Sequence, residues 1–222
     1  LAVDALQLIS RSSPAPSVPP PQVATPAVPL AKERTMNARL FILAAALATS
    51  FPVAGARAQG APSAPSWMGE MHRDVNQAQQ KMIALANAIP ESAYDWRPSP
   101  GTRSVREVFL HVASDNYFIP IAMGKPAPES SGITSDMKSV AAYEQRKLAK
   151  AQIVAELEAS YKHLHQGMGL TTDANATETI KFFGQDWTRM RAMTLTVTHL
   201  HEHLGQMIAY ARSNNVVPPW SK

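Results

Sequence analysis

Cysteine is absent from this sequence of 222 residues. No disulfide, thiolate metal ligand or cysteine nucleophile can therefore form, and any fold has to be held by its core. Aromatic residues make up 7% of the chain and charged residues 17%. The formal net charge of +4 belongs mostly to one end. Residues 1–58 carry five basic and two acidic side chains of the 21 and 17 in the chain, which leaves sixteen against fifteen beyond them. That balance gives nucleic-acid binding no electrostatic footing. There is no Gly-rich phosphate loop and no alternation of strand and helix patterns, which excludes the nucleotide-binding α/β folds. The longest apolar run, Leu40 to Ser50, is too short for a permanent membrane anchor.

That run has its own meaning in context. Residues 1–35 hold seven of the 18 prolines and few large apolar groups, and they read as a disordered, Pro-rich extension. Met36-Asn37-Ala38-Arg39 then supplies a basic start, Leu40–Ser50 an apolar segment of signal length, and Ala56-Arg57-Ala58 a small-residue cleavage site. We read residues 36–58 as a signal peptide and expect a periplasmic or secreted protein. On this reading Met36 is the natural start, residues 59–65 are a linker, and the domain occupies 66–222.

Within that domain the apolar residues recur at helical spacing. Met68, Met71, Val75, Ala78, Met82, Leu85 and Ile89 form one stripe, stopped at Pro90. A Pro-punctuated loop carries Tyr94 and Trp96, whose rings are expected to cover one end of the fold. Ser104-Val105-Arg106-Glu107 is a capping box that opens a second helix, which Pro120 ends or kinks. Residues 124–138 form a long loop, expected at the mouth of a site. A short helix is allowed over Ser139–Arg146, and a stronger one runs over Lys150–Met168. Thr179–Phe183 is briefly strand-like and reads as an extended connection. The last helix begins near Asp186 or Thr188, ends at Ser213 with Asn214-Asn215 as its cap, and is followed by an extended tail containing Trp220. Four substantial helices imply an all-α four-helix bundle.

The chemistry concentrates in Thr198-His199-Leu200-His201-Glu202-His203-Leu204-Gly205-Gln206. On a helix, His199 and His203 lie one turn apart on one face, which aims two imidazoles at one point. His201 looks about 200° away from His199. A catalytic metal site usually takes three protein ligands and leaves one position open. The best-placed third histidine is His111, in the apolar segment Val108–Ala113. His72, His163 and His165 are expected to face solvent. His199 to His203 also spells H-x-x-E-H, the inverzincin protease pattern, but no acidic residue follows Glu202 to complete it. The blander reading, that these are merely half-buried helix residues, requires partners for buried ring nitrogens. Asp115, one turn beyond His111, is expected to be a surface acid rather than a partner of the imidazole. No catalytic base is assigned.

From Trp67 to Ser221 the chain resembles the DinB-like superfamily of four-helix metalloproteins, which includes the YfiT-type metal-dependent hydrolases. The resemblance is carried by Tyr94-Asp95-Trp96-Arg97-Pro98, by Ser104-Val105-Arg106-Glu107-Val108 leading to His111-Val112-Ala113, and by His199-x-x-x-His203-x-Gly205-Gln206. It implies a divalent metal, with zinc, nickel or iron foremost, on His111, His199 and His203. It also implies close helix approach at Gly205 and an outer-sphere or structural role for Gln206. Relatives of this kind include thiol-dependent transferases. The expected function is a metal-dependent hydrolase or thiol transferase acting on a small molecule, and the alternative is a non-catalytic metal-binding or stress-related module. A homodimer is also expected from the resemblance.

Overall fold

The computed structural model describes residues 66–221. The expected Pro-rich extension (1–35), signal peptide (36–58) and linker (59–65) lie outside the described residues.

Four long helices and one short one account for most of the described residues: α1 (Trp67–Ala88), α2 (Val105–Ala122), α3 (Met137–Glu144), α4 (Lys150–Met168) and α5 (Arg189–Ser213). The long helices pack in a ring, α1 against α5, α5 against α2, α2 against α4 and α4 against α1. No helix among the described residues is long and apolar enough to cross a membrane.

Local chemistry explains where the helices begin and stop. Ser66 caps α1 by accepting from the Gly69 N–H, and Ile89 turns extended because it precedes Pro90. The expected stripe of α1 is buried at Met68, Val75, Ala78, Met82 and Leu85. Helix α2 opens on the expected capping box. Glu107 N–H donates to Ser104 Oγ (3.3 Å), and Ser104 N–H donates to Glu107 Oε2 (2.7 Å). In the connection between these helices Tyr94 is fully buried and donates to the Ala86 carbonyl (2.7 Å), while Trp96 meets Tyr210 edge-on.

Helix α2 is buried on nearly every side, so it is the central element rather than an amphipathic one. Pro120 sits inside it, two residues before its end. The pyrrolidine ring is accommodated by Gly167 of α4, where an added Cβ would lie 2.4 Å from Pro120 Cβ. Close helix approach is therefore made at Gly167. Gly205, to which that role was assigned, is exposed with open space around it.

The extended connection closes on itself as a hairpin, with β1 (Thr179–Phe182) antiparallel to β2 (Gln185–Thr188) and Phe182 opposite Gln185. Its two-residue turn, Phe183-Gly184, has positive φ at both positions (49° and 72°), the backbone of a primed hairpin turn. Phe183 holds that uncommon conformation while stacked on Phe118 of α2. The hairpin uses up Asp186–Thr188, so α5 starts at Arg189, with Thr188 as its cap. The tail does not stay extended: Pro219–Ser221 forms a turn of 3-10 helix against α1, with Lys81 Nζ 5.8 Å from the centre of the Trp220 ring.

Candidate metal centre

His111 on α2 faces His199 and His203 on α5, and the three side chains meet at their Nε2 atoms. His199 Nε2 lies 3.0 Å from that of His203 and 3.3 Å from that of His111. One donor atom from each residue falls within 4.8 Å of the others.

The outward nitrogens explain why the inward ones are free. His111 Nδ1–H donates to Glu144 Oε1 (2.6 Å), and Glu144 Oε2 in turn accepts from Arg103 (3.2 Å). His203 Nδ1–H donates to Gln206 Oε1 (2.9 Å). Gln206 Nε2 donates to the Tyr210 hydroxyl, which donates to the Arg103 carbonyl (3.1 Å each). These partners fix the tautomer of two rings, so in the neutral form of His111 and His203 each Nε2 atom carries the lone pair. His199 Nε2 holds at most one proton, and it cannot serve both neighbours. At least one pair of nitrogens therefore faces lone pair to lone pair, a repulsion that a cation between them removes.

Electrostatics point the same way. Burial first, then the neighbouring imidazoles and Arg103, pushes His199 down to about 3. Burial and His111 push His203 down to about 4, against a small opposing effect of Gln206. Both rings are neutral at ordinary pH, the form that binds a metal. Burial alone would raise Glu144, but the hydrogen bond and charge of His111, with Arg103, leave it below the usual carboxylate range. A three-histidine group with two oriented rings is able to hold a divalent ion.

Two acids differ from expectation. Asp115 is not a surface acid: only 17% of its side chain is exposed, and Oδ2 lies 3.4 Å from His111 Nε2 and 3.3 Å from His199 Nε2. Burial raises its carboxyl to about 6. Glu144 was not anticipated at all. It lies on the face of α3 shared with Val140 and Tyr143, so the three- and four-residue spacing of these buried positions was the signal that could have found it.

The remaining histidines stay apart from the centre. His163 is buried (4% exposed) rather than solvent-facing, because Tyr117 of α2 covers it, and its Nε2 has no partner among the described residues. His165 is half-buried, bonded to Gln79 (2.9 Å) and stacked on His72. His201 is exposed, donating to the Val197 carbonyl, and Glu202 is exposed beside it.

A cleft of about 590 Å³ opens between α2, the hairpin and the start of α3, lined by Phe118, Ala122, Met137, Ile180 and Phe182, with Lys181 and the end of the 124–138 loop at its edge. Phe118 follows His111 by seven residues and Asp115 by three, so it continues their face of α2 about 10 Å along the axis.

Residues 75–207 match the sequence profile of the DinB superfamily. Several solved structures are similar in fold, and two of them are as follows. A DinB-like protein from Bacillus cereus ATCC 10987 has 14% identity and a TM-score of 0.57, over 69% of this chain and 96% of that one. An uncharacterised protein from Escherichia coli UTI89 has 18% identity and a TM-score of 0.51, over 69% and 98%. No protein with a curated description matches the sequence.

Proposed function

The chain belongs to the DinB superfamily, and from that premise we propose that it is an exported divalent-metal protein, acting as a hydrolase or as a transferase to a thiol or similar nucleophile. The carrying observation is the convergence of His111, His199 and His203 Nε2 with the Nδ1 atoms of His111 and His203 committed to Glu144 and Gln206. A bound ion of this class supplies Lewis acidity and a nucleophile active near neutral pH. His111 and His203 would be held in the ligating tautomer by their outward partners, and Arg103 would keep Glu144 ionised. The cleft further along α2, whose lining includes none of the three histidines, favours a small-molecule substrate with an apolar part of its structure. Zinc, nickel and iron all suit imidazole donors. The signal-like sequence of residues 36–58 supports a periplasmic or secreted site of action.

A non-catalytic metal-binding module is the second reading, favoured by the position of Asp115 beside two of the three inward nitrogens, where an open coordination site would be needed. The first experiment is metal analysis by mass spectrometry on the full chain, purified without an affinity tag, beside His111→Ala and His199→Ala. About one ion per chain, lost in both variants, is the expected result for a three-ligand centre. A metal-free protein under every supply, with the variants folding normally, would refute the proposal.

A further inference from the structure

We propose that Asp115 is a fourth protein ligand of this centre, so that the cation is held by three imidazole nitrogens and one carboxylate oxygen. This rests on the reading of the three histidines as a metal site, and a shell so filled supports the non-catalytic form of that reading.

The argument begins with helix geometry. Asp115 follows His111 by four residues on α2, as His203 follows His199 by four on α5. Each helix therefore presents two donors on one face, one turn apart, and the two pairs face each other across the α2–α5 contact.

Four of the six donor–donor distances fit a coordination polyhedron. With bonds of about 2.0–2.1 Å to nitrogen and carboxylate oxygen, the edges of a tetrahedron are about 3.3–3.4 Å long. Four of the six edges are 3.3 Å (His111–His199), 3.0 Å (His199–His203), 3.4 Å (Asp115–His111) and 3.3 Å (Asp115–His199), while Asp115 stands more than 4.0 Å from His203 and would have to close that distance on the ion. Asp115 also stands on the inward side of the rings. The outward Nδ1 of His111 is already taken by Glu144, so Asp115 does not serve as the orienting partner of that imidazole.

Charge gives an independent reason. Asp115 and Glu144 are two largely buried carboxylates served by one guanidinium, Arg103, which bonds only to Glu144. The side chains that approach the Asp115 carboxylate as possible cations among the described residues are His111 and His199 alone. A buried carboxylate without a cation is costly. A divalent ion bound at Oδ2 supplies the missing charge. The donor set suits a borderline first-row divalent ion, whereas magnesium and calcium prefer all-oxygen sites.

The test is a titration of the metal-free full chain with cobalt(II) and with zinc in the presence of a competing chelator, on wild type, Asp115→Ala and Asp115→Asn. Wild type is expected to give the intense visible absorption of four-coordinate cobalt. Asp115→Ala should still bind through its histidines, with a weaker, shifted spectrum as water completes the shell and zinc affinity lower by about 100-fold or more, at or beyond the largest outer-sphere effects. Asp115→Asn keeps the side-chain volume and should fall between them, which covers the case in which the alanine variant does not fold. A wild-type spectrum and zinc affinity within about threefold of wild type in both variants, with metal still bound, would overturn the Asp115 assignment and leave the three-histidine site standing. Wild-type protein that takes up neither metal overturns both.

Discussion

Replacing Glu144 by alanine removes one acceptor from two half-buried donors, His111 Nδ1–H at 2.6 Å and Arg103 at 3.2 Å. His111 is then free to rotate about its Cβ–Cγ bond or to change tautomer, and either change turns its lone pair away from His199 and His203. Losing an outer-sphere partner of a ligating histidine typically lowers metal affinity about 10- to 100-fold, which is about 1.4–2.8 kcal/mol. Without metal, the stranded donors cost about 1–3 kcal/mol, offset by no longer desolvating the carboxylate. Glu144→Gln separates orientation from charge, because its amide oxygen can still accept from His111 Nδ1. We expect zinc affinity to fall in the order wild type, Glu144→Gln, Glu144→Ala, measured by chelator competition on the full chain, with thermal unfolding of each metal-free protein as the control for folding. An alanine variant that folds normally and binds zinc within about threefold of wild type would show that Glu144 does not orient the ligand. A glutamine variant as weak as alanine would assign the effect to charge instead.

Gly167→Ala places a Cβ 2.4 Å from that of Pro120. Although alanine favours helix by up to about 1 kcal/mol over glycine, overpacking of this kind costs about 1–3 kcal/mol. The melting temperature should therefore drop, and an unchanged or higher value would mean that α2 and α4 separate freely. The stability of the metal-free protein should also depend on pH in a defined direction. His199 and His203, with folded values of about 3 and 4, bind protons in the unfolded chain first, so their contribution is present above about pH 6.5 and is lost as pH falls towards those values. Asp115, raised to about 6, acts oppositely: it loses stability as pH rises from about 4 to 6. Two histidines outweigh one acid, so urea midpoints should rise from pH 4.5 to pH 6.5, and a falling midpoint would contradict the burial of the two rings.

The three histidines were legible because helical spacing alone puts His199 and His203 on one face, and because His111 lies in an apolar segment. Spacing reports direction but not depth. Asp115 was on the right face, yet its burial follows from α2 being enclosed by α3, α4 and α5, which only the packing decides. His163 was misread for the same reason: it lies beside the stripe of α4, and Tyr117 from another helix covers it. Glu144 reaches His111 across 33 residues of chain, a pairing that no local pattern encodes. Glycine was read by its neighbours in the motif rather than by what faces it. The helix contact belongs to Gly167 because a proline ring stands opposite.

His111 and His199 are 88 residues apart in the chain. An ion bound to both would tie off a loop that contains α3, α4 and the hairpin, a covalent-like constraint in a chain that has no cysteine to make one. By the chain-entropy relation used for cross-links, closing a loop of that length restricts the unfolded ensemble by ~4–5 kcal/mol, if the ion remains attached in that ensemble. If it is released on unfolding instead, the ion stabilises only the folded chain, and resistance to proteolysis should depend on free metal concentration. The same ring of donors would then couple the lifetime of the protein to the metal content of its surroundings.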